Sequence, residues 1–149
     1  MKLAPLVLIL LAAGVGASAA AQPKPEDVIH YRQSAMTLIG WNFGPLAAMV
    51  KGKTAWDAKE FSLHADRLES LAPQVLEGFA KGSDKGAQTD AKAGIWTHYA
   101  DFQTKFNDLV TQTKALSDAA KSGDEAKMKD AFKKTAGACK ACHDKYKAD

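Results

Sequence analysis

The chain has 149 residues, 46% of them hydrophobic and 25% charged. Those are the proportions of one ordinary globular domain, not of a disordered tail or a modular enzyme. Its 20 basic and 17 acidic residues are interspersed, so the net charge of +3 forms no electrostatic footprint for nucleic acid. Eleven glycines and five prolines exclude a collagenous or low-complexity chain, and two cysteines are too few for a disulfide framework.

Residues 1–21 have the form of a secretory signal. Lys2 is their only charge, Leu3 to Val15 is almost wholly apolar, and Ala19-Ala20-Ala21 offers a small-residue cleavage site before Gln22. A membrane-spanning helix needs ~20 apolar residues, and this run is shorter. Nothing later is long and apolar enough to span. The expected product is a soluble single domain, residues 22–149, exported to a bacterial periplasm and free of the membrane once the signal is removed.

The mature chain predicts four helices. From Glu26 to about Lys51, apolar residues recur at three- and four-residue steps (Val28, Ala35, Met36, Ile39, Phe43, Leu46, Val50), the spacing of one buried helical face. Pro25 followed by Glu26 and Asp27 suits a helix start. Pro45 is expected to kink or loosen the last turns, and Gly52 to end them. Asp57 with Glu60 resembles a capping box opening a second helix. Its face is Phe61, His64 or Ala65, Leu68, Leu71 or Ala72, Val75 and Phe79, with Pro73 bending or dividing it. Ala80 to Lys92 turns polar and glycine-bearing, the longest loop.

A third helix is expected from Ile95 to Lys121, with Ile95, Tyr99, Phe102, Phe106, Leu109, Val110 and Leu116 near one stripe. Gly123 can close it and Asp124 can cap a fourth helix. That helix runs from about Glu125 to Lys147 and carries Met128, Phe132, Thr135, Cys139, Cys142 and Tyr146. No segment sustains period-two alternation. The expected fold is all-α, an antiparallel up-down four-helix bundle.

Both cysteines sit in Cys139-Lys140-Ala141-Cys142-His143, a C-x-x-C-H sequence of the kind that attaches a c-type haem. Residues three apart share one helix face, so both thiols can add to the two vinyl groups along one haem edge. His143 can then turn its imidazole to the iron. A plain disulfide leaves the histidine unexplained. A thioredoxin-like redox pair needs a βαβ context that the sequence lacks, and a structural zinc site lacks a fourth ligand of known position.

Four helices with C-x-x-C-H near the C-terminus resemble the cytochrome c′ family. So do Lys24-Pro25-Glu26-Asp27, Tyr31-Arg32-Gln33-Ser34-Ala35-Met36, Lys51-Gly52-Lys53, Ile95-Trp96 and the step from His143 to Asp144. The resemblance covers essentially the whole mature chain. It implies one haem c, bound through Cys139 and Cys142, held between the helices with His143 as proximal ligand. Family members are typically five-coordinate and high-spin with an apolar distal face, bind nitric oxide and carbon monoxide, and are commonly homodimers. The resemblance also places Arg32 and Gln33 near the haem edge, where a guanidinium can pair with a propionate, and Thr89 and Asp90 as a polar pair touching the haem. Lys147 stands where many relatives carry arginine, which removes a planar guanidinium from the proximal side.

Met36 lies one turn beyond Arg32 on the same face and should point to the distal side. As a sixth ligand its thioether would make a low-spin His/Met electron carrier. As an apolar lid it would leave a site reachable by small uncharged gases. The flanking sequence looks more like the high-spin branch, which favours the lid. The expected function is therefore a periplasmic haem protein that binds gases and undergoes one-electron redox change, with a periplasmic electron donor or acceptor as a further partner.

The remaining candidates have plainer readings. His30, His64 and His98 share no ligand spacing and are each expected to be a surface or partly buried histidine. Met49 and Met128 sit at core positions. An apolar strip on the first two helices, with Trp41 and Trp56 as anchors, is the expected dimer contact. No catalytic residue is expected: the sequence places no distal base for a peroxidase and no carboxylate pair for a hydrolase.

Overall fold

The computed structural model describes residues 22–148. The expected export signal at 1–21 lies outside them. Four long helices, α1 (Pro25–Val50), α2 (Ala58–Val75), α4 (Tyr99–Lys121) and α5 (Glu125–Tyr146), are accompanied by one short helix, α3 (Gly94–Thr97). A 3-10 turn, Leu76–Phe79, continues α2. Among the described residues, no helix is long and apolar enough to cross a membrane.

Local chemistry sets the helix ends. Pro25 opens α1, where its missing N–H is no loss. Asp57 Oδ1 accepts from the Lys59 and Glu60 amides at 2.8 and 3.1 Å, and Asp124 Oδ1 from those of Ala126 and Lys127 at 3.0 and 3.1 Å. Gly52 (φ 68°) and Gly123 (φ 69°) take the left-handed conformation that closes α1 and α4.

Neither internal proline ends its helix: α1 runs through Pro45 to Val50, and α2 through Pro73 to Val75 before tightening into the 3-10 turn. Pro73 is exposed and Pro45 half-buried. There, water can take the carbonyl bond that the missing N–H would have made. The expected third helix is instead divided. His98 leaves helical geometry (φ −126°, ψ 42°) and separates α3 from α4.

Cross-helix bonds fix the topology. Tyr31 meets Gln74 and Asn42 meets His64 between α1 and α2; Ser62 meets Ala120 and Asp66 meets Ser117 between α2 and α4. Asp101 meets Tyr146 and Thr135 meets Gln112 between α4 and α5. In each pair one helix advances as the other retreats, so neighbours are antiparallel. The ring α1–α2–α4–α5 is an up-down bundle whose last edge is thin, because α5 and α1 scarcely touch.

The core has two parts. Leu46, Phe61, Leu68, Leu116, Met128 and Phe132 fill one end of the bundle. Val75, Phe79, Ile95, Phe102, Phe106 and Tyr146 form a second cluster at the other. Two sequence expectations shift. His64 is buried, with Nδ1 2.9 Å from Asn42 Oδ1, a polar pair that satisfies both groups inside the α1–α2 contact. Trp56 packs on Phe61 at 5.0 Å with the Lys129 ammonium 5.0 Å from its ring, so it belongs to the packed end and not to an outer strip.

Candidate haem site

Beside the second cluster lies a cavity of about 570 Å³, within the ~300–1,000 Å³ range of small-molecule sites. All eight side chains singled out from the sequence line it: Met36 and its neighbours on α1, Thr89 and Asp90 in the loop, Cys139, Cys142 and His143 on α5. A further wall is Phe102, Phe106 and Leu109 of α4. Met36, Ile39 and Phe43, expected as a core stripe, are only half-buried because they face this space.

Cys139 and Cys142 are half-buried and unpaired. Burial, helped by the neighbouring thiol, pushes Cys139 up to about 11. Burial also raises Cys142, against the nearby Lys105 cation. Both thiols are therefore neutral at pH 7, which suits the apolar wall. His143 is pulled below its ordinary value by desolvation and then by Lys147, while Asp144 opposes. Its imidazole is thus biased towards the neutral form, the form that can donate a lone pair to a metal. Among the described residues, no group of three or more His, Cys, Asp or Glu is placed to hold a bare metal ion.

Arg32 is 3% exposed and heavily used. Nη1 donates to the carbonyls of Gly78 (3.1 Å) and Ser83 (2.8 Å) and to Ser83 Oγ (3.1 Å); Nη2 donates to Thr89 Oγ1 (2.9 Å). The guanidinium carbon also lies 5.5 Å from the Phe79 ring and 5.4 Å from Trp96. The helix and turn approach so closely that a Cβ on Gly78 would stand 2.3 Å from Arg32 Cβ. Among the described residues, Arg32 Nε is the one buried side-chain polar atom without a partner. Gln33 Nε2 donates to the Gln88 carbonyl at 2.9 Å, holding the same loop from outside.

The loop's far end is tied to the chain terminus. The Lys92 amide donates to the Tyr146 carbonyl (2.9 Å) and the Ala148 amide to the Asp90 carbonyl (2.8 Å). Lys147 Nζ stands 3.7 Å from Asp90 Oδ2. Loop 80–92 thus bridges α1 and α5 where the two helices scarcely meet.

Two wall residues escaped the sequence reading as site residues. Lys105 is half-buried in the α4 wall, and Tyr146 is buried with its hydroxyl on Asp101. Tyr146 lies three residues after His143, one turn along the face that carries the motif. That spacing was the available signal.

The donor set fits a flat, largely apolar prosthetic group with an anionic edge. Two thiols share one helix face, an imidazole follows them, the walls are aliphatic and aromatic, and one buried guanidinium N–H has no acceptor. The comparisons agree. The family model described as Cytochrome C' matches residues 27–147. A cytochrome c' from Rubrivivax gelatinosus is 43% identical over 124 residues, 83% of this chain and 96% of the relative. A cytochrome c prime from Shewanella frigidimarina superposes with a TM-score of 0.83 at 46% identity, covering 87% of this chain and all of that one. A mutant cytochrome c prime from Alcaligenes xylosoxidans, solved as its nitric oxide complex, gives a TM-score of 0.79 at 36% identity and covers 87% of this chain and 99% of its own.

Proposed function

The chain belongs to the cytochrome c′ family, whose members carry covalently attached haem c, and on that premise we propose an exported haem protein that binds nitric oxide and carbon monoxide at a five-coordinate iron. Cys139 and Cys142 would hold the haem covalently and His143 would ligate its iron. Arg32 Nε, with Thr89 beside it, serves a propionate. When bound, the haem supplies an iron that takes a diatomic ligand and changes oxidation state by one electron.

One observation carries the gas-binding reading. The stretch of the α1 wall beyond Arg32 and Gln33 is mainly apolar (Met36, Ile39, Phe43), and its one soft donor, Met36, is packed against the cluster that includes Ala35, Phe79 and Phe102. A thioether held in that packing shields the cavity from water and offers no proton donor, which leaves room for small uncharged ligands. The nitric oxide complex of the Alcaligenes relative supports the same reading.

The experiment is the absorption spectrum of ferric and ferrous protein, before and after carbon monoxide, in wild type and Met36→Ala. A high-spin spectrum in both, with carbon monoxide binding that displaces no native ligand, is expected. A low-spin spectrum with a sulfur-to-iron band, lost in Met36→Ala, would replace the lid with a His/Met electron carrier.

The proposed assembly is a homodimer. Trp41 is 75% exposed, beside Leu38 at 49% and Leu63 at 42%, around a groove on the outer α1–α2 face. Asp66 and Arg67 border that groove, so it offers both signs to a second copy across a two-fold axis. Sedimentation should give a dimer at micromolar concentration and a monomer for Trp41→Glu. A wild-type monomer would refute the assembly.

A further inference from the structure

Tyr146 forms part of the cavity wall with a ring only 3% exposed, yet its hydroxyl reaches a charged acceptor. Tyr146 Oη donates to Asp101 Oδ2 at 2.5 Å, and Lys145 Nζ donates to the same oxygen at 2.9 Å. These bonds, that from Tyr146 first, hold the Asp101 carboxyl below the usual range, so it is ionised at neutral pH and can only accept. The ring stands edge-on to Phe102, with centroids 5.4 Å apart at 88°. A phenol beside the cofactor space, already bonded to a proton acceptor that opens to solvent, can lose an electron and a proton together.

The other two tyrosines and Trp96 lack this combination. Tyr31 has an acceptor in Glu77 at 3.3 Å but is 40% exposed and lies off the cavity wall. Tyr99 is also off that wall. Trp96 Nε1 donates to the Ala80 carbonyl at 3.1 Å, which is too weak a base to keep a proton, and the Arg32 cation over its ring opposes electron loss. The Lys145 ammonium, 5.3 Å from the Tyr146 ring, opposes electron loss too. There, however, Asp101 balances its charge before the step, and transfer of the proton leaves no charge on the ring itself.

We propose that Tyr146, with Asp101 as its proton acceptor, is a one-electron donor to haem in this cavity, discharging oxidising equivalents delivered by a hydroperoxide. The proposal rests on the haem reading and is independent of which gas the protein binds. Hydrogen peroxide is the oxidant: its O–O bond breaks as it takes up two electrons and two protons, both oxygens end as water, and haem, when bound, would relay those electrons to it. Tyr146 supplies one of them: its O–H bond breaks, the proton passes along the 2.5 Å bond to Asp101 Oδ2, and a neutral phenoxyl radical remains on the ring. An oxidised phenol is a far stronger acid than a carboxylic acid, so this transfer runs downhill. The oxidising equivalent thereby rests on the Tyr146 ring and not on the Met36 thioether across the same cavity, which oxidation would turn into a polar sulfoxide.

The test is freeze-quench electron paramagnetic resonance of ferric holoprotein mixed with hydrogen peroxide. Wild type should give a tyrosyl signal that narrows when the protein carries ring-deuterated tyrosine. Tyr146→Phe should lower that signal at least tenfold per haem, and Asp101→Asn, which keeps the ring in place, at least threefold. Tyr31→Phe and Tyr99→Phe should leave it unchanged, and peptide mass spectrometry should find more Met36 sulfoxide in Tyr146→Phe. A signal that survives Tyr146→Phe, a tryptophan radical, or no protein radical in wild type with an intact haem spectrum would overturn the proposal. Absence of any haem band would remove the haem reading with it.

Discussion

The two ends of the bundle are made of the same residue types and solve different problems. At the end bounded by the α1–α2 and α4–α5 turns, Leu46, Phe61, Leu68, Leu116, Met128 and Phe132 fill the space between four helices. At the other end, equally large side chains line a cavity that they do not fill, and α1 and α5 scarcely touch. What replaces packing there is a polar frame. Arg32 gathers the loop carbonyls, and the residues after α5 pin the loop's far end. A bundle can thus frame a cavity of prosthetic-group size when one end supplies hydrophobic cohesion and hydrogen bonds fix the other.

Substitutions should expose that asymmetry. Phe61→Ala, at a fully buried position of the packed end, should cost about 3–5 kcal/mol of unfolding free energy in urea denaturation. In the haem-free chain, Phe43→Ala should cost clearly less, because its ring is only half-buried and lines the cavity. Equal costs in the haem-free chain would mean that the cavity end packs as tightly as the other.

A smaller effect is expected where the polar frame is tightest. Gly78→Ala puts a methyl 2.3 Å from Arg32 Cβ and 2.8 Å from its Cα, so helix and turn must part. The expected cost is about 1–3 kcal/mol, the usual range for overpacking. Amide exchange should quicken around Ser83 and Thr89, whose groups Arg32 holds, and not around Phe61. Uniform quickening would show the two ends to be one cooperative unit.

The smallest effect is one of pH. Asp101 has a depressed folded-state value, from the bonds of Tyr146 and then Lys145. Below its unfolded value, ~3.9, the unfolded chain binds more protons at this site than the native one. The stabilisation is therefore fully present above that value and is lost as pH falls through the lower native one. Asp101→Asn should flatten this acid limb by lowering stability modestly at pH 7 while leaving it unchanged in acid, where the wild-type carboxyl is already protonated. An unaltered acid limb would mean that the Tyr146–Asp101–Lys145 cluster adds nothing to folding.

Much of this was legible in the chain, for identifiable reasons. Helix faces follow from apolar spacing, and Asp57, Gly52, Gly123 and Asp124 mark their ends by capping chemistry that acts within a few residues. Cys139, Cys142 and His143 stand out because their spacing is itself the chemistry. The break at His98 was not legible, since apolar spacing runs on from Ile95 to Phe106 and only the backbone turns away. Met36, Ile39 and Phe43 have core spacing because periodicity cannot distinguish the wall of a filled core from the wall of a cavity. The Tyr146–Asp101 bond and the loop contacts of Arg32 join residues more than 40 positions apart, a pairing that only the packed bundle creates.

The central claim is that the unfilled end is a haem site anchored on α5, and the most direct measurement is the mass of the holoprotein under denaturing conditions. The account predicts a chain heavier by one haem that resists acid-acetone extraction, and haem left extractable when Cys139 and Cys142 are both replaced by alanine. A wild-type chain of polypeptide mass alone, or a haem that extracts freely from it, would contradict the claim.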